Sequence, residues 1–340
     1  MAMDGQVPRR AWMPWSGRRS NAPVFMKRCN KLRIVFMGTP RFAVPSLVAL
    51  AEAENATLVL CNPDRPAGRG RSMASPPVKE EAVRRGIPVY QPEKARRPEA
   101  VARIAAEAPD LVVVVAYGHI LPKSILDIPR LGCINVHASL LPRYRGAAPI
   151  NWALARGETT TGITIMRMDE GMDTGPMLHV REMPIGEEDT AETMFSKLSV
   201  LGAEALGEAL RKLRDGTLVE TPQDPALATY APLLTKEHGR IDWSRRAGEV
   251  RNLVRGMTPW PAATALLGGK ALKVLASAVA RESGRAGEPG KIVAAGREGI
   301  SVACGEGVLR LTIVQPEGGK AMDAWAYAQG RRVTTGERLS

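Results

Sequence analysis

The chain has few cysteines and no long hydrophobic run, and each absence excludes a class of protein. Only four of its 340 residues are cysteine, and none lies in a C-x-x-C pair. Neither a disulfide framework nor a cysteine zinc site is therefore indicated. No stretch approaches the roughly 18 consecutive apolar residues of a membrane-spanning helix. We expect an intracellular protein of a reducing compartment, with no part of it in a membrane.

Glycine-rich phosphate loops are missing as well. The turn at residues 38–40 does not continue into G-x-G-x-x-G, and no G-x-x-x-x-G-K-[ST] segment occurs. Both patterns bind phosphate through backbone N–H groups, so chemistry driven by ATP or NAD is disfavoured.

The charge balance points to a polyanionic partner, although charge alone does not decide the matter. The formal net charge is +12, and basic residues that neutralise phosphates gain affinity from released counterions. Residues 1–30 are rich in arginine and contain Asp4 as their one acidic residue. They lack the apolar segment of a secretory signal. We expect a disordered N-terminal extension and a bacterial cytoplasmic protein. An organelle transit peptide, and with it an organelle matrix, stays open as the alternative.

Apolar segments alternate with helical patterns over the first two thirds of the chain. Strands are predicted at 33–38, 57–61, 111–116, 134–139 and 162–168, and a helix over 190–215. Residues 111–116 are apolar on both faces, which is typical of a strand covered by helices on both sides. The alternation predicts an α/β sheet that is parallel at least in part.

The texture of the sequence changes after residue 216. Residues 217–236 have weak periodicity and several Pro, Thr and Gln, so we interpret them as a linker. Beyond them, short strands separated by glycine turns predict a small β-barrel. The predicted division is therefore 31–216, 217–236 and 237–340.

The most informative pattern is an amide and an imidazole at the end of a predicted strand. Asn135 and His137 are two residues apart, so they share one face of that strand. The chain then enters a polar loop that bears arginines. Farther on, the loop 169–175 brings carboxylates, among them Asp173. Amide, imidazole and carboxylate are sufficient for acyl transfer.

Together these segments resemble the folate-dependent formyltransferase superfamily. The resemblance combines N-x-H at Asn135, S-L-L-P at Ser139 and D-x-G at Asp173. The D-R-P-A-G-R-G segment at 64–70 and the C-terminal barrel are similar to the branch that formylates methionyl-tRNA. The likeness extends from Lys31 to the C-terminus, so only residues 1–30 fall outside it.

The resemblance implies a fold and a reaction. The fold would be a Rossmann-like α/β formyl-transfer domain followed by an OB-like tRNA-binding domain. The reaction would move a formyl group from 10-formyltetrahydrofolate to the α-amine of methionine on initiator tRNA. No metal would be required, and we expect a monomer.

Attack by the amine creates an oxyanion, which needs hydrogen-bond donors. The resemblance assigns this role to the side-chain NH₂ of Asn135 and to a protonated His137. Asp173 would hold His137 as the cation and take up the proton that the amine loses. A lone histidine at a strand end is more often structural, but all three residues occur in the family's order and spacing. The other histidines, at positions 119, 179 and 238, lie in no such motif, and we predict that they are not catalytic.

The resemblance also implies binding residues. Those of the folate donor are Ser139, Leu140, Leu141 and Pro142, faced by Tyr117 and Gly118 at the end of a buried strand. Those of tRNA are Arg65, Arg69 and Arg71 on the basic loop and Lys270, Lys273 and Lys291 in the barrel.

Three other functions compete with this one. A sibling formyltransferase that acts on an amino sugar or a nucleotide-precursor amine should not need the basic loop or a basic barrel. A tRNA-binding module with a dead site is disfavoured by the intact trio of Asn135, His137 and Asp173. An oxidoreductase that uses NAD or a nucleotide sugar lacks its glycine fingerprint.

Overall fold

The computed structural model describes residues 31–67 and 72–340, of which Leu32–Ser340 form one compact unit. The predicted disordered extension at residues 1–30 lies outside the described residues. No helix in the described ranges is long and apolar enough to cross a membrane.

The first part of the unit contains a seven-stranded sheet and a small hairpin. In chain order its strands are β1 (Arg33–Gly38), β2 (Asn55–Leu60), β3 (Arg65–Ala67), β4 (Ser72–Ala74), β5 (Val89–Tyr90), β6 (Leu111–Val115), β7 (Cys133–His137), β8 (Thr160–Arg167) and β9 (Met177–Pro184). The sheet order is β5-β2-β1-β6-β7-β8-β9, and β3 pairs with β4. β1, β2, β5, β6 and β7 run parallel to one another. β8 runs antiparallel to β7, and β9 runs antiparallel to β8. The sequence prediction of an α/β sheet, parallel in part, is confirmed.

Helices cover this sheet. They are α1 (Val44–Ala53), α2 (Pro77–Arg84), α3 (Pro98–Ala106), α4 (Lys123–Leu126), α5 (Pro149–Ala155) and α6 (Ala191–Arg214). Proline occupies the first turn of α1, α2, α3 and α5, where its missing N–H leaves no bond unmade. Thr190 caps α6 in a reciprocal pair of hydrogen bonds with Thr193. Gly216, with a positive φ, follows the end of the helix.

The central strands β6 and β7 decide which side chains reach the site. All five residues of β6 are buried, and they alternate between the core clusters on the two faces of the sheet. On β7, Ile134 and Val136 pack in the cluster that includes α6, whereas Cys133 packs in the opposite one. Side chains alternate along a strand, so Asn135 and His137 point to the face away from α6.

The last third of the unit is an antiparallel sheet with two helices. Its elements are α7 (Ala247–Met257), β10 (Ala263–Leu267), β11 (Lys270–Arg281), β12 (Ile292–Gly296), β13 (Gly299–Ala303), β14 (Val308–Pro316), β15 (Met322–Asp323) and α8 (Ala324–Arg331). The strand order is β10-β11-β14-β13-β12, with β15 beside β14. The C-terminal residues join the two edges, since Ser340 exchanges backbone hydrogen bonds with Leu266 while Leu339 donates to Gly290. This connection produces the barrel-like closure that the glycine-turn spacing predicts.

Residues 217–236, between the seven-stranded sheet and the C-terminal sheet, form backbone hydrogen bonds with other segments of the chain. Thr221 and Met177 exchange backbone hydrogen bonds of 2.8 Å. Farther along, the Arg145 N–H donates to the Thr229 carbonyl and the Ala231 N–H donates to the Arg145 carbonyl, each at 2.8 Å. The interpretation of this segment as a mere linker is therefore incomplete, because it pairs with the first residue of β9 and with the loop that follows β7. The domain boundaries themselves stay a prediction.

Candidate active site

The predicted amide and imidazole lie at the end of β7, in the middle of the sheet. Asn135 is paired with Val114 of β6 and Met166 of β8. Its side chain is half-buried and makes no hydrogen bond to any other residue that the structure describes. His137, two residues later, is only 5% exposed.

The His137 ring stands between two protein acceptors. Its Nε2 lies 3.0 Å from the carbonyl oxygen of Tyr144, and its Nδ1 lies 3.6 Å from Oδ2 of Asp173. A carbonyl oxygen can only accept, so we assign the Nε2 proton to that contact. A neutral ring could donate to one of the two acceptors, whereas an imidazolium can donate toward both.

Asp173 is held in place by its own backbone conformation and by the loop that follows β7. Its Oδ2 accepts the Gly146 N–H at 2.8 Å, and its backbone has a φ of 55°. Aspartate is among the few non-glycine residues that adopt this left-handed conformation with modest cost. The carboxylate is therefore fixed near His137 by its backbone and by a hydrogen bond.

His137 and Asp173 contact each other, whereas the Asn135 amide makes no hydrogen bond to either of them. His137 and Asp173 are brought together, as the sequence predicts. Asn135 shares their face of β7, and within the described ranges its amide is the member of the trio that has no protein partner. A bound oxygen atom would meet the Asn135 NH₂ without displacing a protein contact, whereas it would have to compete for His137 with Tyr144 and Asp173.

The S-L-L-P segment shapes the loop after β7. Ser139 is fully buried, and its Oγ donates to the Arg143 carbonyl at 2.7 Å. Oγ1 of Thr164 donates to the Ser139 carbonyl at 2.7 Å and accepts the Leu141 N–H at 3.1 Å. Ser139 and Leu141 therefore hold the loop, while Leu140 and Pro142, both half-buried, offer it as a surface.

The predicted facing wall begins where β6 ends. Tyr117 is 1% exposed, burial raises the pKa of its hydroxyl to about 12, and that hydroxyl has no partner among the described residues. The ring packs 4.9 Å from that of His119, and burial lowers the pKa of His119. Ala116 and Gly118 are exposed and have positive φ. They, rather than the Tyr117 side chain, present the surface of this wall.

The described part of the basic loop includes β3 of the hairpin. Arg65 is exposed at its start, whereas Arg69 and Arg71 lie outside the described residues. The base of the hairpin is held at Asp64, which accepts from Nζ of Lys79 at 2.6 Å and from Nε2 of Gln91 at 2.8 Å. These two bonds hold the pKa of Asp64 below its usual range.

The three lysines of the C-terminal sheet are exposed, but two of them do not share a face. Lys270 is paired with Leu267 and Lys273 with Thr264 along a regular stretch of β10 and β11. Residues three apart on a regular strand point to opposite faces. Lys270 and Lys273 therefore cannot contribute to one tRNA-binding face, as their joint assignment to such a surface with Lys291 would require.

The residues that hold the site together were not predicted from the sequence. Gln223, Arg145 and Gly146 link the loop after β7 to the Asp173 loop. Gln223 lies in a segment without periodicity, so nothing in its surroundings distinguished it. The remaining histidines lie elsewhere, with His179 Nε2 2.6 Å from Glu208 Oε2 and the His238 ring 5.0 Å from that of Trp152. Within residues 31–67 and 72–340, no cluster of three or more His, Cys, Asp or Glu could hold a metal ion.

Comparison with known proteins identifies the class to which this fold and site belong. A family profile described as Formyl transferase matches residues 32–210, and one described as Formyl transferase, C-terminal domain, matches residues 233–332. The chain belongs to the formyl transferase family. Its curated relatives include the methionyl-tRNA formyltransferases of Geobacter metallireducens and Myxococcus xanthus, 53% and 48% identical over 309 residues. Each alignment covers 91% of this chain and 98% of the relative.

Solved structures share the fold at lower identity. The sugar 3N-formyl transferase WlaRD has a TM-score of 0.62 and 16% identity, with 83% of this chain and 98% of that chain covered. HypX from Aquifex aeolicus, in complex with tetrahydrofolic acid, has a TM-score of 0.59 and 19% identity, with 88% of this chain and 47% of that one covered.

Proposed function

We propose that the chain transfers a formyl group from 10-formyltetrahydrofolate to the α-amino group of methionine on initiator tRNA. The product is formylmethionyl-tRNA for translation initiation. The observation that carries the proposal is the trio of Asn135, His137 and Asp173 at the end of β7, in a chain about half identical to methionyl-tRNA formyltransferases over nearly their whole length. The relatives are bacterial, which agrees with the expected cytoplasmic location.

The residues at this edge suit a folate donor. Leu140 and Pro142 on one side and Ala116 and Gly118 on the other offer apolar, accessible surface. The Asn135 amide on β7 adds a hydrogen-bond donor without a protein acceptor in the described ranges. A flat ring system that carries a polar formyl group fits this combination.

The reaction replaces one carbon–nitrogen bond by another. The amine nitrogen bonds to the formyl carbon, the carbonyl oxygen gains charge, and the bond from that carbon to the folate nitrogen then breaks. Asn135 donates a hydrogen bond to the charged oxygen. The His137 cation, balanced by Asp173, adds positive potential at the same point, and Asp173 receives the amine proton directly or through water. The same proton then passes to the departing folate nitrogen, which leaves as a neutral amine while the carbonyl double bond re-forms. Binding both substrates in one orientation supplies much of the remaining rate.

The proposed tRNA contacts are Arg65, Arg69, Arg71, Lys273 and Lys291. Lys270 is left out because it lies on the face of β11 opposite Lys273. Arginine on the hairpin beside the site suits the phosphates of an acceptor end. The lysines of the C-terminal sheet would contact the tRNA body and position it without specifying its identity. The monomeric state also remains a prediction.

An acceptor comparison tests the function. With 10-formyltetrahydrofolate as donor, the acceptors are methionyl initiator tRNA, methionyl elongator tRNA and a dTDP-linked amino sugar. We expect formylation of the initiator tRNA to have the highest kcat/KM. Preferential formylation of the sugar would overturn the proposal in favour of a sugar-acting sibling.

Lys270→Ala and Lys273→Ala test the C-terminal surface. The core residues Leu272 and Val274 flank Lys273, so Lys273 points away from the core, between Thr264 and Gln315 of the neighbouring strands. We expect Lys273→Ala to reduce the slope of log K against log salt for tRNA binding by about 0.7–0.9, the value for one lost phosphate contact. Lys270→Ala, on the opposite face, is the matched control and should leave the slope unchanged. Unchanged slopes in both variants would remove this face from the tRNA surface.

A further inference from the structure

Gln223 lies in the segment predicted to be a linker, yet its side chain reaches the active-site loops. Its Nε2 donates to the Asp173 carbonyl at 2.9 Å and to the Gly175 carbonyl at 2.7 Å. Its Oε1 accepts from Nε and Nη2 of Arg145 at 3.0 and 2.7 Å. A primary amide offers two donors and two acceptor positions, and all four are in use.

Both partners of Gln223 lead directly to His137. Asp173 places its Oδ2 3.6 Å from Nδ1 of the ring. Arg145 lies between Tyr144, whose carbonyl faces Nε2 of the ring, and Gly146, whose N–H donates to Asp173. The one Gln223 amide thus joins the two loops that contact the two nitrogens of His137.

The surroundings make this joint rigid. Arg145 is only 5% exposed, and its backbone is paired with Thr229 and Ala231, a few residues after Gln223. A Cβ on Gly146 would lie 2.7 Å from the Ala231 carbonyl oxygen, closer than side chains approach. The left-handed backbone of Asp173 is a conformation that persists where its surroundings determine it, and Gln223 binds the carbonyl of that residue.

We propose that Gln223 is a positioning residue that sets the distance and angle between Asp173 and His137 by fixing the Asp173 backbone against Arg145. The proposal rests on the proposed function, since it assigns Gln223 a part in the same reaction. Gln223 itself does not contact the substrates.

Gln223→Ala tests the proposal by separating rate from binding. We expect kcat to fall about tenfold to thirtyfold, which is less than the about 100-fold that a 1 Å misplacement of a catalytic group can cost. The KM values for tRNA and for the folate donor should change less than about threefold. The matched control is Asn151→Ala, which removes another buried amide that donates to a backbone carbonyl, Gly256 O at 2.7 Å. The control should lower Tm to a similar degree and keep kcat within about twofold of wild type.

Gln223→Glu identifies which side of the joint matters. Glutamate keeps two acceptors for Arg145 but has no N–H for the carbonyls of Asp173 and Gly175. If Gln223 acts through Asp173, the Glu variant should lose as much kcat as the Ala variant. If Gln223 only satisfies Arg145, glutamate should restore kcat, and the proposal would be overturned.

A measurement without turnover separates this proposal from the proposed function. In protein with ¹⁵N-labelled histidine, the ring nitrogen shifts of His137 should change in Gln223→Ala and stay as in wild type in Asn151→Ala. Unchanged shifts together with wild-type kcat in Gln223→Ala would overturn the positioning role. Failure of the wild-type protein to formylate methionyl-tRNA would instead overturn the proposed function, whatever the spectra show.

Discussion

Asn135→Ala and His137→Ala are each expected to lower kcat by about 10²–10³-fold, the usual effect of removing one donor to a developing oxyanion. Asn135 offers its NH₂ at the end of β7 with no protein acceptor among the described residues, so its loss removes a donor aimed at the ligand. The His137 ring faces two acceptors on the same face of β7, so its loss removes the positive charge that we propose for this ring. The affinity for tRNA should be nearly unchanged, because neither side chain forms part of the proposed tRNA surface.

Single-turnover rates and tRNA Kd values measure these effects. His179→Ala is the matched control for the histidine, since His179 lies on the edge strand β9 and pairs with Glu208 of α6, on the face of the sheet away from His137. Its rate should stay within about twofold of wild type. Wild-type turnover in Asn135→Ala or His137→Ala would exclude that residue from the mechanism.

Asp173→Asn is expected to reduce kcat by about 10²–10³-fold with little change in either KM. The amide oxygen of asparagine can still accept the Gly146 N–H, so the loop should keep its shape. The carboxylate 3.6 Å from His137 Nδ1 is lost, and with it both the counter-charge that we propose for a His137 cation and the proposed acceptor of the amine proton. General-base catalysis typically contributes about 10²–10⁴-fold, which sets the scale of the loss.

Asp169→Asn on the same loop is the control for Asp173→Asn. Asp169 accepts from the Gly171 N–H at 3.0 Å and from Oγ1 of Thr174 at 2.7 Å, and asparagine can accept both. Its kcat should remain within about threefold of wild type. Equal losses in the two variants would show that the loop conformation, rather than the charge of Asp173, limits the reaction.

Local sequence patterns predicted five of the seven strands of the main sheet, all except β5 and β9, and the orientation of the site residues along β7. The apolar run at 111–116 predicted a strand buried on both faces, and β6 is such a strand. The two-residue spacing of Asn135 and His137 placed them on one face of β7. These predictions succeed because hydrophobic periodicity and strand alternation depend on neighbours in the chain.

The helix cap before α6 shows where local patterns become ambiguous. The spacing of Asp189 and Glu192 predicts a capping box, and Thr190 and Thr193, one residue later, have the same spacing. The threonine pair forms the box, while Asp189 accepts from Thr193 Oγ1 and Lys197 Nζ. The rule places Glu or Gln at the third position, which only the Asp189 register offers, so the local pattern favours a register that the structure does not form.

The sequence by itself determined the class of fold, the face on which Asn135 and His137 lie, and the presence of a carboxylate loop. The family resemblance had already named Asp173 as the carboxylate beside His137. Only the tertiary structure decided that Gln223 joins the two loops around His137 and that Lys270 and Lys273 are separated by the sheet. Each of these depends on contacts between residues far apart in the chain, or on the exact register of a strand. Periodicity encodes the direction of a side chain from its own strand or helix, but the partner that it meets depends on how distant segments pack.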